Sequence, residues 1–170
     1  MADRLTRAAI AALGAAAAFA GWAGWFWFDA AHDEALAHAA MRDAALDAGR
    51  EHVARLTTLD HNDVDAGIDR WLAVSTGALR DELAGTGEDT KRALREGGTV
   101  ATGEVLDAAI SELDPAAGTA RMLVSVEITT SGGNGGEPAT TRNRFTAQLR
   151  QTGEGWKLSA LDQVPVGGGG

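Results

Sequence analysis

The densest set of groups that could do chemistry lies in one stretch, Asp60-His61-Asn62-Asp63-Val64-Asp65, with Asp69 one helical turn beyond it. Carboxylates and an amide this close together are the raw material of a calcium loop. Such a loop needs oxygen donors at positions 1, 3 and 5, a glycine at 6 and a glutamate at 12. Neither register supplies them: counted from Asp60 the fifth position is Val64, and counted from Asp63 it is Gly67. The same side chains suit a helix start, where a carboxylate accepts backbone N–H bonds and answers the positive end of the macrodipole. The histidines are His32, His38, His52 and His61. No two are three or four residues apart, so no helical face presents a pair, and they read as solvated polar positions.

Residue types and missing motifs remove several other routes to catalysis. The chain has no cysteine, which removes thiol catalysis, cysteine-ligated zinc and disulfides. It has no tyrosine either, so a ketosteroid-type site with a carboxylate base and a tyrosine oxyanion donor is unavailable in its usual form, which leaves an Asp–His arrangement using His61 as the open alternative. G-x-S-x-G, P-loop and strand-following G-x-G-x-x-G sequences are absent. The glycine cluster Gly132-Gly133-Asn134-Gly135-Gly136 precedes a strand pattern, not a helix. The expectation is a protein that is not an enzyme, with no catalytic residue, cofactor or metal. With 24 Asp and Glu against 15 Lys and Arg, a net charge of −9 argues against nucleic acid as a partner.

The elements that carry these residues begin with an apolar run. Residues 8–28 contain no charge and would span about 31 Å as a helix, close to the hydrocarbon thickness of a bilayer. The run ends in Trp22, Trp25, Phe26, Trp27 and Phe28, where an interfacial aromatic belt belongs. Arg4 and Arg7 precede it and Asp29, Asp33 and Glu34 follow, so residues 1–7 are expected in the cytoplasm and the rest outside. The rival is a cleaved signal peptide ending at Ala18-Phe19-Ala20. Against it, the apolar run continues well past that site and becomes more aromatic. Gly14, Ala17, Gly21 and Gly24 share one helical seam on which a neighbouring helix could approach closely, although in an alanine-rich segment most seams are small.

Beyond the anchor, residues 29–56 read as a membrane-proximal helix, with Leu36, Ala39, Ala40, Leu46, Val53 and Leu56 on a loose apolar face. Thr57 to Asp60 breaks it. A second helix is expected with Asp63 as N-cap and Val64, Ile68, Trp71, Leu72 and Val74 along it, ending near Gly77. Shorter helices follow around Leu79–Leu83 and Glu88–Glu96. The period then changes. Val100–Leu113, with Gly103 a candidate bulge, is followed by a turn at Asp114–Gly118. Ala120, Met122, Val124, Val126 and Ile128 alternate with polar positions, as do Phe145, Ala147 and Leu149, and Trp156, Leu158 and Ala160. Helices first and then about four sequential strands predict an α+β domain over residues 57–166, an antiparallel meander with helices on one face. Residues 167–170 are a glycine tail expected to be structureless.

Two stretches carry a resemblance. Leu56-Thr57-Thr58-Leu59-Asp60-His61-Asn62-Asp63-Val64-Asp65 and Ser75-Thr76-Gly77-Ala78-Leu79-Arg80-Asp81-Glu82-Leu83, behind an N-terminal anchor, resemble the actinobacterial Mce-associated (mammalian cell entry) membrane proteins. The C-terminal half is similar as well, through Gly103-Glu104-Val105, Val124-Ser125-Val126, Arg144-Phe145 and Gly155-Trp156-Lys157-Leu158. The resemblance implies a nuclear transport factor 2-like (cystatin-like) cone held at the plasma membrane by a single span. It also implies a non-catalytic accessory role in assembly or stability of an Mce-type lipid-import complex of the cell envelope, with protein partners and a homo-oligomer to be considered. The alternatives are an extracytoplasmic small-molecule or lipid binding module, and a type IV secretion-like scaffold component.

Overall fold

The computed structural model describes residues 35–133 and 137–164. The chain divides into two compact units, residues 1–40 and 41–170. Helix α1 covers residues 35–56. Within the second unit it is followed by a two-residue strand β1 (Leu59–Asp60), a 3-10 turn (His61–Asp63), α2 (Val64–Val74), α3 (Gly77–Ala84) and α4 (Glu88–Glu96). Four long strands complete the domain: β2 (Thr99–Asp114), β3 (Thr119–Gly132), β4 (Ala139–Thr152) and β5 (Gly155–Gln163). The sheet is antiparallel throughout in the order β1-β2-β3-β4-β5. The α+β class and the helices-then-meander order match the expectation. The sheet has five strands where four were expected, because two residues of the loop after α1 pair with Val100 and Ala101.

Strand alternation sorts the side chains into two faces. On the inner face the rows Ile110–Met122–Ala147–Leu161 and Leu113–Ala120–Leu149–Leu158 run across four strands. Met122, Leu149 and Leu158 are essentially inaccessible to water. Each such side chain stabilises the fold by about 1.5–3 kcal/mol relative to an exposed position. Across this face α1 lays Ala45, Gly49 and Val53, three residues four apart and therefore on one stripe. Val53 is part of the expected apolar face, with Leu46 and Leu56 partly buried beside it. The centre of the stripe is small, however. A Cβ on Gly49 would lie 2.8 Å from Met122 Sδ, so glycine there sets how closely helix and sheet approach. Leu36 is exposed.

The irregularities sit elsewhere than expected. Gly103 pairs regularly with Ile128; the register shifts of β2 fall between Val105 and Asp107 and between Ile110 and Glu112. A third lies in β5 opposite Gln148 and Leu149. An extra residue in one strand bends it and increases its twist. The turn after β2 is as expected: Ala117 N–H donates to Asp114 Oδ1 at 2.9 Å, and Gly118 takes φ +61°. Gly77 opens α3 rather than ending α2, which stops at Val74 when Thr76 N–H leaves to donate to Leu158 O.

Candidate functional site

The two stretches that carry the resemblance meet at the point where α1 runs out over the sheet edge. Thr57 Oγ1 turns back to donate to Val53 O at 2.8 Å, and Thr58 Oγ1 does the same to Ala54 O at 2.8 Å. These hydroxyls take up carbonyls that the end of a helix leaves without partners. Thr58 Oγ1 also accepts the Gly103 N–H at 3.1 Å, which ties the helix end to β2. A Cβ on Gly103 would lie 1.8 Å from Thr57 Oγ1, so this glycine is a point of contact and not a bulge. The Trp71 indole N–H, arriving from α2, lies 3.1 Å from both Arg55 O and Thr58 O. Ser75 Oγ donates to Trp71 O at 2.7 Å, and Arg80 reaches Leu72 O. These residues hold elements in place, and Thr58 and Gly103 also line an open pocket of about 300 Å³ with Glu51, Ala54, Arg55 and Arg70.

The acidic stretch disperses in the same way. The Asp60 carboxylate accepts from the Asn62 backbone N–H at 2.8 Å and from the Asn62 amide at 2.9 Å. The backbone bond, then the amide, hold its carboxyl below the usual range. Asp60 rather than Asp63 is therefore the side-chain cap, and it caps the 3-10 turn. Asp63 occupies the N-cap position of α2 without a capping bond and faces Arg70 at 3.4 Å. Asp65 binds Lys91 at 3.1 Å and Arg95 at 2.7 Å, joining α2 to α4. Lys91, then Arg95, hold its carboxyl low, while Asp65 and then Glu88 hold the Lys91 ammonium high. Among the described residues no three His, Asp or Glu side chains converge as metal ligands would.

His38 is exposed, as expected of a solvated histidine, but His52 is not. Its Nε2–H donates across to Trp156 O of β5 at 2.9 Å, and its Nδ1 is buried without a partner. Burial keeps its pKa below the ordinary imidazole value of 6.5, against the raising effect of the Trp156 carbonyl and Glu51. Sequence reasoning missed this because His52 precedes Val53 on the helix and only the stripe geometry reveals which face it borders. His61 Nδ1 lies 3.5 Å from Asp60 Oδ1 and is buried without a hydrogen bond.

The outer face of the sheet carries no buried residue. It holds an open groove of about 310 Å³ beside Leu123, Arg144 and Val164, and another of about 430 Å³ beside Arg121 and Arg150. Leu123 breaks the strand alternation expected from the sequence, and it is half exposed here. The expected belt (Trp22, Trp25, Phe26, Trp27 and Phe28), the seam Gly14, Ala17, Gly21 and Gly24, His32 and the tail 167–170 lie outside the described residues. Among the described residues no helix is long and apolar enough to cross a membrane.

Residues 5–165 match the family described as "Uncharacterized protein Rv1363c/MT1408-like". The uncharacterized protein Rv1363c of Mycobacterium tuberculosis is 27% identical over 135 residues, 79% of this chain and 51% of that protein. The chain thus spans about half the length of that relative. Among solved structures, an IcmL-like type IV secretion system protein of Legionella pneumophila is similar at TM-score 0.59 and 10% identity, covering 75% of this chain and 95% of its own. CagV of Helicobacter pylori, a VirB8 homolog of a type IV secretion system, is similar at TM-score 0.55 and 11% identity, over 73% and 98%. At these identities the two structures show a shared fold.

Proposed function

The chain belongs to the Rv1363c/MT1408-like family, and from that premise we propose that it is a non-catalytic scaffold subunit of a multi-protein envelope assembly. Residues 8–28 would anchor it in the plasma membrane with the N-terminus in the cytoplasm, and the α+β domain would present its surface to partner proteins outside. The observation that carries this reading is the fold itself. Nearly the whole length of two type IV secretion components, one IcmL-like and one VirB8-like, superimposes on this domain. The local chemistry agrees with that reading. The residues with the greatest chemical potential, Asp60, Asp63, Asp65 and the two threonines after α1, are engaged in caps and in bonds between elements.

A finer reading names the assembly as an Mce-type lipid importer. What supports it is the wording of the Leu56–Asp65 and Ser75–Leu83 stretches. Purification of the full-length chain in mild detergent tests both. Membrane-embedded partner subunits should copurify, and deletion of the gene should lower their levels. Recovery of this chain alone, with partner levels unchanged by deletion, would refute the scaffold role. The identity of the copurifying subunits decides between a lipid importer and a secretion-like machine.

A further inference from the structure

Strand register places opposite charges in columns on the outer face of the sheet. Glu104, Glu127 and Arg142 form one row across β2, β3 and β4; Asp107, Ser125 and Arg144 form a second; Asp114, Thr119 and Arg150 form a third. In these three rows β2 carries an acid and β4 an arginine; in the row Glu112–Arg121–Gln148 the arginine is instead on β3, paired with Glu112 at 3.1 Å. The columns are two strands apart, about 10 Å. Between them, on the row Ala109–Leu123–Thr146, Leu123 stands half exposed at the centre of the face. Arg142 already pairs with Glu127 at 2.8 Å, whereas Arg144, Arg150, Asp107 and Asp114 enter no ion pair among the described residues.

The geometry points to this face as the interface between two copies of the chain, related by a two-fold axis running along β3. Rotation about that axis keeps each row at its own height and exchanges its ends. Asp107 of one copy then faces Arg144 of the other, Asp114 faces Arg150, and Leu123 meets Leu123. A two-fold axis across the strands would instead set acid over acid. The charge pattern favours this arrangement, with the two sheets aligned about 10 Å apart: each ion pair across the axis occurs twice, Leu123 meets its own copy once on the axis, and Arg121 and Glu127, also on the axis, are neutralised by Glu112 and Arg142 of their own chain. The inference stands apart from the scaffold reading, since either could hold without the other.

The absence of cysteine makes the test direct. Full-length Leu123→Cys in detergent micelles, treated with a short bismaleimide, should form a covalent dimer, while Glu82→Cys on the exposed side of α3 should not. Sedimentation of the unmodified chain should show a concentration-dependent dimer. Asp107→Arg or Arg144→Asp should each raise its dissociation constant about tenfold or more, the usual scale for reversing an interface charge. The double variant Asp107→Arg/Arg144→Asp should recover most of that loss, because it rebuilds the pair across the axis. Both positions are exposed and lie outside the core, so the singles should keep the native circular dichroism spectrum. The proposal is overturned by a monomer at all concentrations. It is equally overturned by a dimer indifferent to Arg144→Asp, as one formed through the anchor would be, or by a double variant no better than the singles.

Discussion

Substitution of Gly103 by alanine tests the junction where α1 leaves the sheet. The new Cβ would stand 1.8 Å from Thr57 Oγ1 and 2.6 Å from Thr57 Cβ, distances that no side-chain adjustment within one rotamer absorbs. Overpacking of this kind costs about 1–3 kcal/mol. Rotating Thr57 away also forfeits its bond to Val53 O, worth about 1 kcal/mol. Against this, exchanging glycine for alanine narrows the unfolded ensemble and returns about 0.4–1 kcal/mol. The net expectation is a loss of about 2–3 kcal/mol, a large share of the 5–15 kcal/mol typical of a domain. Urea unfolding of the full-length chain, followed by far-UV circular dichroism, should show a midpoint lower by about 1 M. The same substitution in a Thr57→Gly background removes both clashing atoms and should cost at least about 1 kcal/mol less, a coupling that a double-mutant cycle reads directly. A Gly103→Ala midpoint equal to wild type, or an equal cost in both backgrounds, would refute the close-contact argument.

Leu158→Ala empties the floor of the core, where the side chain is fully buried on the row shared with Leu149 and Ala120, and should cost about 2–5 kcal/mol in the same assay. Trp71→Phe keeps an aromatic ring but deletes the indole N–H shared by Arg55 O and Thr58 O together with the five-membered ring that carries it, and should cost at least about 1 kcal/mol, visible as a fall in the urea midpoint. His52 predicts a pH dependence of definite sign. Its folded pKa lies below 6.5, so the unfolded chain takes up the proton first as pH falls, and stability drops below about pH 6.5 until the folded pKa is passed. Glu51 beside it favours the proton, and Arg55 and Lys157 oppose it. Between pH 7 and 5 the wild-type Tm should therefore fall further than that of His52→Gln, which keeps a donor for Trp156 O; parallel curves would sink this assignment.

The sheet and the distal helices were legible because their signals are local. Alternation at Ala120, Met122, Val124 and Val126 placed β3 on its correct face, and Glu88–Glu96 followed by two glycines gave α4 residue for residue. What the sequence concealed depends on partners distant along the chain. β1 is two residues long and exists only because Val100 and Ala101 are there to pair with it. Gly103 looked like a bulge since glycine inside a strand admits two causes, a kink or a close neighbour, and only the approach of Thr57 decides between them. The helix stripe was mislaid toward Leu36 because hydrophobicity marks large residues. The stripe that faces the sheet is instead made of small residues, the buried Ala45 and Gly49, the latter close against Met122, which a hydropathy pattern passes over.

The same division bears on where partner specificity can reside. The inner face and the α1 exit are constrained at almost every position: a methyl at Gly103 or Gly49 collides, and the hydroxyls of Thr57, Thr58 and Ser75 are committed to backbone carbonyls. Substitutions there change stability before they change recognition. The outer face obeys no such constraint, since none of its residues is buried. A solvent-exposed sheet face needs only mixed polarity to remain soluble, and a random scatter of charge would serve. The repeated placement of an acid on β2 opposite an arginine on β4, in three of the four charged rows across β2, β3 and β4, is additional information that folding does not require. A surface that carries order beyond the needs of its own fold is the part of the molecule expected to meet another protein, and here the order is complementary to itself.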